Sequence, residues 1–287
     1  MSIRKRCVMS DVKISVIIGT YNPKEEQLTK AVRSIMEQTF TDWELILYDD
    51  GSAPEAAGII RRTADLDGRI RCVRNERNHG LAYALDQCIK LSAGTYIARM
   101  DDDDVSRPRR LEKQVRFLEQ HPEYDWVGSN ADLFDETGIW RTETMPEKPE
   151  KTDFLRYSPY IHPSVMFRRE AVWGRNAYIS AGVTRRCEDY ELFMRLHMQG
   201  KRGYNLQESL LLYREDQNSY VRRSIDNRLN EMRIRYRGFK RMGILKPSTA
   251  VYVFRPLAGA VLPNGLLHNI LRRNKNGSSD RCEKGQI

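Results

Sequence analysis

Apolar positions along the chain follow two rhythms. The run from Lys13 to Thr20 is β-branched and continuous, as in a strand buried on both faces, and it stops at Asn22-Pro23, a turn signal. Leu28, Val32, Ile35 and Met36 then recur at helical spacing, and Trp43 to Tyr48 predicts a second strand. Residues 54–66 read as a helix and Arg69 to Arg74 as a third strand. Leu81, Leu85, Cys88 and Ile89 form the stripe of another helix after Asn78-His79-Gly80. Tyr96, Ile97 and Met100 make a fourth strand that runs into Asp101, Asp102, Asp103 and Asp104, and Pro108 opens the helix of Leu111, Val115 and Leu118.

Strands alternating with helices through residue 120 predict an α/β class: a Rossmann-like, mostly parallel sheet flanked by helices. Three polar loops then leave the C-terminal ends of strands, at Thr20-Tyr21-Asn22, at Asp49-Asp50 and at Asp101 to Asp104. In an open sheet of this kind they converge on one crevice. Beyond residue 120 the alternation weakens. Trp126 to Gly128 and Ser164 to Phe167 read as strands, separated by a surface loop from Thr142 to Pro149. Residues 188–199 form a helix with Leu192, Phe193 and Leu196 on one face and Glu188 and Asp189 in its first turn, closed by Gly200. Leu210 to Tyr213 is a last strand, and Ser224 to Met242 a very basic helix.

The length of 287 residues and 40% hydrophobic content suffice for one large α/β unit or two smaller ones. Five cysteines, odd in number and never in a C-x-x-C pair, argue against a disulfide framework and against a thiolate zinc site. With no apolar signal segment among the first residues, the expected location is cytoplasmic. The net charge of +9 is unevenly held: residues 214–287 carry 16 Lys/Arg against 6 Asp/Glu, which leaves 32 against 33 for residues 1–213. This basic stretch lacks a nucleic-acid reading motif, so nucleic acid is not an expected partner. Its apolar runs, Ala250 to Phe254 and Leu257 to Leu262, are broken by prolines and too short to span a bilayer. With Leu266, Leu267, Ile270 and Leu271 beside Arg272, Arg273 and Lys275, they suit either an interfacial helix on an anionic membrane, peripheral on its inner face, or a packed subdomain with a solvated basic side.

Four adjacent acids at a strand end either hold a divalent cation or stand as a solvated, helix-capping cluster. A magnesium or manganese ion there keeps open positions for the oxygens of a nucleotide diphosphate. Glu188 and Asp189 either complement a helix dipole or supply a carboxylate base.

Taken together, Ser15 to Asn22, Asp49-Asp50-Gly51-Ser52, Asn78 to Ala82, Ala98 to Asp104, His162-Pro163-Ser164 and Cys187-Glu188-Asp189 resemble, in the right order over about residues 13–214, the family 2 inverting glycosyltransferases with the GT-A fold. The resemblance implies a nucleotide-sugar donor, most often UDP-linked, and a divalent metal, Mn2+ or Mg2+. It implies that Thr20, Tyr21 and Asn22 line the nucleotide pocket and that Asp50 accepts from the base. Asp101 then lies near the ribose, Asp102 beside it, and Asp103 on the metal; Asp189 is the catalytic base. Glu188, His162 and Arg214 match positions near the acceptor or diphosphate, with a structural histidine and a solvated strand end as the other readings of the last two. Asp102 departs from the family pattern, where a small residue is common, and no Q-x-x-R-W follows Asp189, so a single sugar addition is expected rather than processive synthesis. The implied organisation is a catalytic unit over 1–213, with residues 13–104 for the donor and 105–213 for a glycan or lipid-linked acceptor, followed by the tail 214–287. The acids alone leave two other classes open, a metal-dependent nucleotidyl or phosphoryl transferase and a non-catalytic membrane-associated glycan-binding protein.

Overall fold

The computed structural model describes residues 12–174, 177–180, 182–184, 186–215 and 225–257. Among these residues nine strands form one sheet: β1 (Ile14–Thr20), β2 (Trp43–Asp49), β3 (Ile70–Arg74), β4 (Tyr96–Arg99), β5 (Val105–Ser106), β6 (Trp126–Asp135), β7 (Gly138–Glu143), β8 (Met166–Arg168) and β9 (Gly203–Arg214). The helices are α1 (Glu25–Met36), α2 (Pro54–Ala64), α3 (Leu81–Leu91), α4 (Arg110–Gln120), α5 (Glu188–Met198) and α6 (Ile225–Met242).

The order across the sheet is β3-β2-β1-β4-β8-β6-β9-β5, with β7 added beside β6. From β3 to β4 every pairing is parallel. The second half is mixed, because β8 runs against both β4 and β6. The parallel half explains the continuous apolar runs: all of β1 and β4 is buried, so both faces must be apolar. Ile14, Val16 and Ile18 face one way and pack with Leu28, Val32 and Ile35 of α1. Ile17 faces the other, with Leu85 and Cys88 of α3, and that layer continues through Trp126 to α5 and α6.

Two expectations are corrected here. Thr142 and Glu143 belong to strand β7, an edge of the sheet, and not to the surface loop read from Thr142 to Pro149. The last strand begins at Gly203, seven residues before Leu210. Its alternation is hidden because the register against β6 shifts around Asn130, from Ser129 opposite Leu206 to Asn130 opposite Ser209, leaving Gln207 and Glu208 as a bulge. Gly203 is fixed by packing, since a Cβ there would lie 2.0 Å from Nε1 of the fully buried Trp126.

The basic helix α6 packs on α5 closely enough that a Cβ on Gly238 would meet Met194 Sδ at 2.4 Å. Arg235 is buried between them, paired with Glu231, donating to the Leu155 carbonyl and lying 4.8 Å above the Tyr190 ring. The apolar stretch from Leu266 to Leu271 lies outside the described residues. Among the described residues no helix is long and apolar enough to cross a membrane.

Candidate active site

The loops at the ends of β1, β2, β4 and β9 and the first turn of α5 enclose a cavity of about 1090 Å³. Thr20, Tyr21, Asp50, Asp101, Asp102, Asp103, His162, Glu188, Asp189 and Arg214 all line it. Asn22 does not. It is exposed, at φ 51°, its backbone amide donating to Ser52 Oγ and its side chain accepting from the Ala53 amide, so it ties the first loop to the second.

Asp49 and Asp50 are both buried and serve opposite neighbours. Asp49 accepts the Ser52 amide at 2.8 Å and pairs with Arg74 at 2.7 Å. Asp50 accepts the amides of His79, at 3.1 and 3.0 Å, and Gly80, at 2.7 Å. Gly80 precedes α3, which has no side-chain cap of its own, so the carboxylate expected to meet a base also holds the entry of that helix. Gly51 lets the two loops touch: its φ is +78°, and a Cβ would sit 2.5 Å from the Arg77 backbone.

The four acids divide by partner. Asp101 forms a two-pronged pair with Arg99, at 2.8 and 2.5 Å, and that guanidinium is itself almost fully buried. Asp102 accepts the hydroxyl of Thr20. Burial is the main cause that pushes the Asp102 carboxyl up to about 6, against the Thr20 hydrogen bond that lowers it. Asp103 is pushed up to about 7, by burial first and then by the charges of Asp101 and Asp102, with Arg214 and Arg99 opposing. Asp104 is completely buried; its Oδ1 accepts the Arg214 amide at 2.8 Å, while Oδ2 has no hydrogen-bond partner among the described residues.

Oxygen atoms of Asp101, Asp103 and Asp104 lie within 4.8 Å of one another. Carboxylates held this close, one with an orphaned buried oxygen, fit a hard divalent cation such as Mg2+ or Mn2+.

Across the cavity, Glu188 and Asp189 open α5. Burial, then the neighbouring Asp189 charge, pushes Glu188 up to about 7. Asp189 is raised by burial as well, opposed by the Tyr190 amide and by Arg99. His162 is buried with Nε2 2.5 Å from the Tyr178 hydroxyl, and burial followed by the Arg99 charge drives its pKa well below the ordinary histidine value. The imidazole is therefore neutral and polar rather than a cation beside the acids.

Sequence reasoning missed Tyr178, Ser180, Thr184 and Arg186, of which the last three line the cavity. They belong to an irregular stretch without apolar periodicity, where no local signal marks them. His79 was seen only within a loop motif, although its ring lies 4.7 Å from that of Tyr83 at the cavity wall.

A mixed α/β sheet that gathers carboxylates from its strand ends around one cleft is the arrangement of the GT-A glycosyltransferases. It superposes on the S. aureus TarS fragment 1–349 in complex with UDP-GlcNAc with a TM-score of 0.58 at 16% identity, covering 82% of this chain and 74% of that one. It superposes also on the mannosyltransferase PcManGT from Pyrobaculum calidifontis in complex with GDP-Man and Mn2+, with a TM-score of 0.58 at 17% identity over 91% and 80% of the two chains. The chain belongs to glycosyl transferase family 2, whose family model matches residues 15–229. It is 38% identical over 260 residues to EpsE of Bacillus subtilis (strain 168), spanning 90% of this chain and 93% of that one. It is 34% identical over 207 residues to the amylovoran biosynthesis glycosyltransferase AmsE of Erwinia amylovora, 70% and 75% of the respective chains. The protein is thus a glycosyltransferase.

Proposed function

We propose that this enzyme transfers a single hexose, with inversion, from a nucleotide diphosphate donor, UDP-linked, to a hydroxyl of a lipid-linked glycan during polysaccharide assembly. The observation that carries the reading is the lining of one cavity by two groups of carboxylates, Asp101 to Asp103 from the end of β4 and Glu188-Asp189 from the start of α5. Support for the donor class comes from the UDP-GlcNAc bound to TarS and the GDP-Man and Mn2+ bound to PcManGT. Support for the pathway comes from the role that AmsE's name states.

In this reading Thr20, Tyr21 and Asp50 bound the nucleoside pocket, with Asn22 holding its loops together. Asp103, with Asp101 and Asp104 in the same cluster, would hold the divalent ion, and Arg99 fixes Asp101 there. The ion supplies charge stabilisation for the diphosphate leaving group when bound. Asp189 takes the proton of the acceptor hydroxyl as its oxygen bonds to the anomeric carbon and the bond from that carbon to the diphosphate breaks. Its burial and raised pKa suit a group that must accept a proton. Glu188 stands beside the acceptor approach, and Arg214 and neutral His162 face the diphosphate side.

A panel of UDP- and GDP-sugars screened by thermal shift with Mn2+, then assayed for transfer and for the anomer formed, tests this. Asp189→Asn should reduce transfer by about 10²- to 10⁴-fold, the range of a positioned proton acceptor, with donor binding retained. Transfer at the unmodified rate in that variant, or the retained anomer in the product, would overturn the mechanism. Nucleotidyl transfer to the acceptor would overturn the reaction class.

A further inference from the structure

Helix α6 has two apolar faces, and one of them is left exposed by the described residues. Successive residues turn by about 100° around a helix, which puts Ile234, Gly238, Phe239 and Met242 on the face buried against the enzyme. Ile225, Leu229, Met232 and Tyr236 fall at spacings of i, i+4, i+7 and i+11, within an arc of roughly 60° on a different side. Ile225 is 70% exposed, Leu229 36% and Tyr236 49%.

The chain then turns at Gly243 and returns along the helix. The Ile244 and Leu245 amides donate to the Phe239 carbonyl, and Arg228, one residue before Leu229, donates to the Pro256 carbonyl at 2.8 Å. The returning segment adds Val251, 66% exposed, and Phe254, 57% exposed. Scattered exposed apolar residues are ordinary; a stripe continued by a neighbouring segment is an interaction surface.

Its surroundings indicate what it meets. Arg233, Arg237 and Lys240 border the stripe on its other flank, roughly 60° to 120° round the helix from Ile225. Residues 225–257 hold 8 Lys/Arg against 2 Asp/Glu. A second copy of the chain would set this basic rim against itself, with like charges opposed. A phosphate backbone would leave the aliphatic stripe unburied. An anionic bilayer answers both, taking the apolar stripe and Tyr236 at the headgroup boundary and the basic side chains among the headgroups.

We propose that the face formed by α6 and residues 250–257 docks the enzyme peripherally on an anionic membrane surface. α6 packs on α5, whose first turn carries Glu188 and Asp189, so docking here holds the cavity close to acceptors anchored in the same membrane. The proposal does not rest on the transfer chemistry: sugar release from the donor in solution reports the cavity, and vesicle binding reports this face, so each can fail alone.

The test is flotation of the full chain with phosphatidylcholine vesicles, with and without phosphatidylglycerol. Binding to the phosphatidylglycerol vesicles is expected, weakened at least tenfold by Leu229→Glu with Phe254→Glu, and by about fivefold for each of Arg237→Gln and Lys240→Gln, as expected for a basic side chain near such a surface. The glutamine variants keep the test decisive if the glutamate pair fails to fold. Failure of the unmodified chain to float with anionic vesicles, equal binding to neutral ones, or undiminished binding of all variants overturns the proposal. So does a dimer in light scattering that the glutamate pair abolishes while vesicles have no effect, since the face is then a protein interface.

Discussion

Replacing Asp50 by Asn separates the anchoring of a loop, seen in the structure, from the proposed contact with a nucleotide base. Asp50 is 2% exposed and accepts two backbone amides, those of His79 and Gly80, from the loop that leads into α3. Asparagine keeps the shape and one accepting oxygen but removes the charge. A hydrogen bond to a charged group contributes about 1.5–3 kcal/mol and a neutral one about 1 kcal/mol, so two weakened bonds amount to roughly 2 kcal/mol. At about 2–4 °C per kcal/mol for domains of 150–250 residues, the melting temperature without nucleotide should fall by about 4–8 °C. Because Gly80 and Leu81 line the cavity, donor affinity should fall with it. The assay is thermal unfolding of the unliganded protein, paired with calorimetric titration of the donor that the panel identifies. If Asp50 served the nucleotide base alone, the unliganded melting temperature would stay within about 1 °C and only affinity would drop; that outcome refutes the loop-anchoring role.

Three further outcomes are expected. His197, hydrogen-bonded to Tyr160 at 3.0 Å, is held neutral with its pKa pushed down to about 4, chiefly by burial. Between pH 6.5 and 4 the unfolded chain binds a proton that the folded one refuses, so the His197 contribution is intact above about 6.5 and falls with pH, by roughly 3 kcal/mol in full; because the raised carboxyls of Asp102, Asp103 and Glu188 act in the opposite direction, the loss is read as the difference between the unmodified protein and His197→Gln in urea titrations at pH 7 and 5. Transfer should rise with pH as Asp189, whose carboxyl burial holds above its ordinary value, gives up its proton, since the base acts ionised; a rate that falls as pH is raised through the acid range contradicts the assignment. Gly51→Ala forces a Cβ to within 2.5 Å of the Arg77 backbone at a φ of +78°, and should cost at least about 2 kcal/mol in denaturant unfolding, more than a surface change.

Much of this site could be read before the fold was known, and the reason is burial. β1, β2 and β4 are covered on both faces, so each is a continuous apolar run whose end, and the polar residues at it, stand out. The helix of Glu188 and Asp189 was legible because its stripe of Leu192, Phe193 and Leu196 is regular. What stayed hidden depends on partners distant in sequence. Arg110 looks like a solvated helical position, yet it is completely buried, donating to the Arg99 carbonyl and to Gln114. Nothing near Asp50 in sequence announces the amides of residues 79 and 80. The bulge in β9 erased the alternation that would have extended that strand, and β5 spans only two residues, too few for any period.

The division of labour between Asp49 and Asp50 also bears on how such enzymes diversify. The corner from Asp49 to Ser52 is locked by its own ion pair and amide contacts, yet the side chains nearest the opening are not part of that lock. Tyr21 is 52% exposed at the rim, and His79, also exposed, contributes only its backbone amide to Asp50. A combinatorial library at these two positions can therefore vary the mouth of the cavity while leaving the frame intact, which makes them the place to retune donor choice if the proposed function holds.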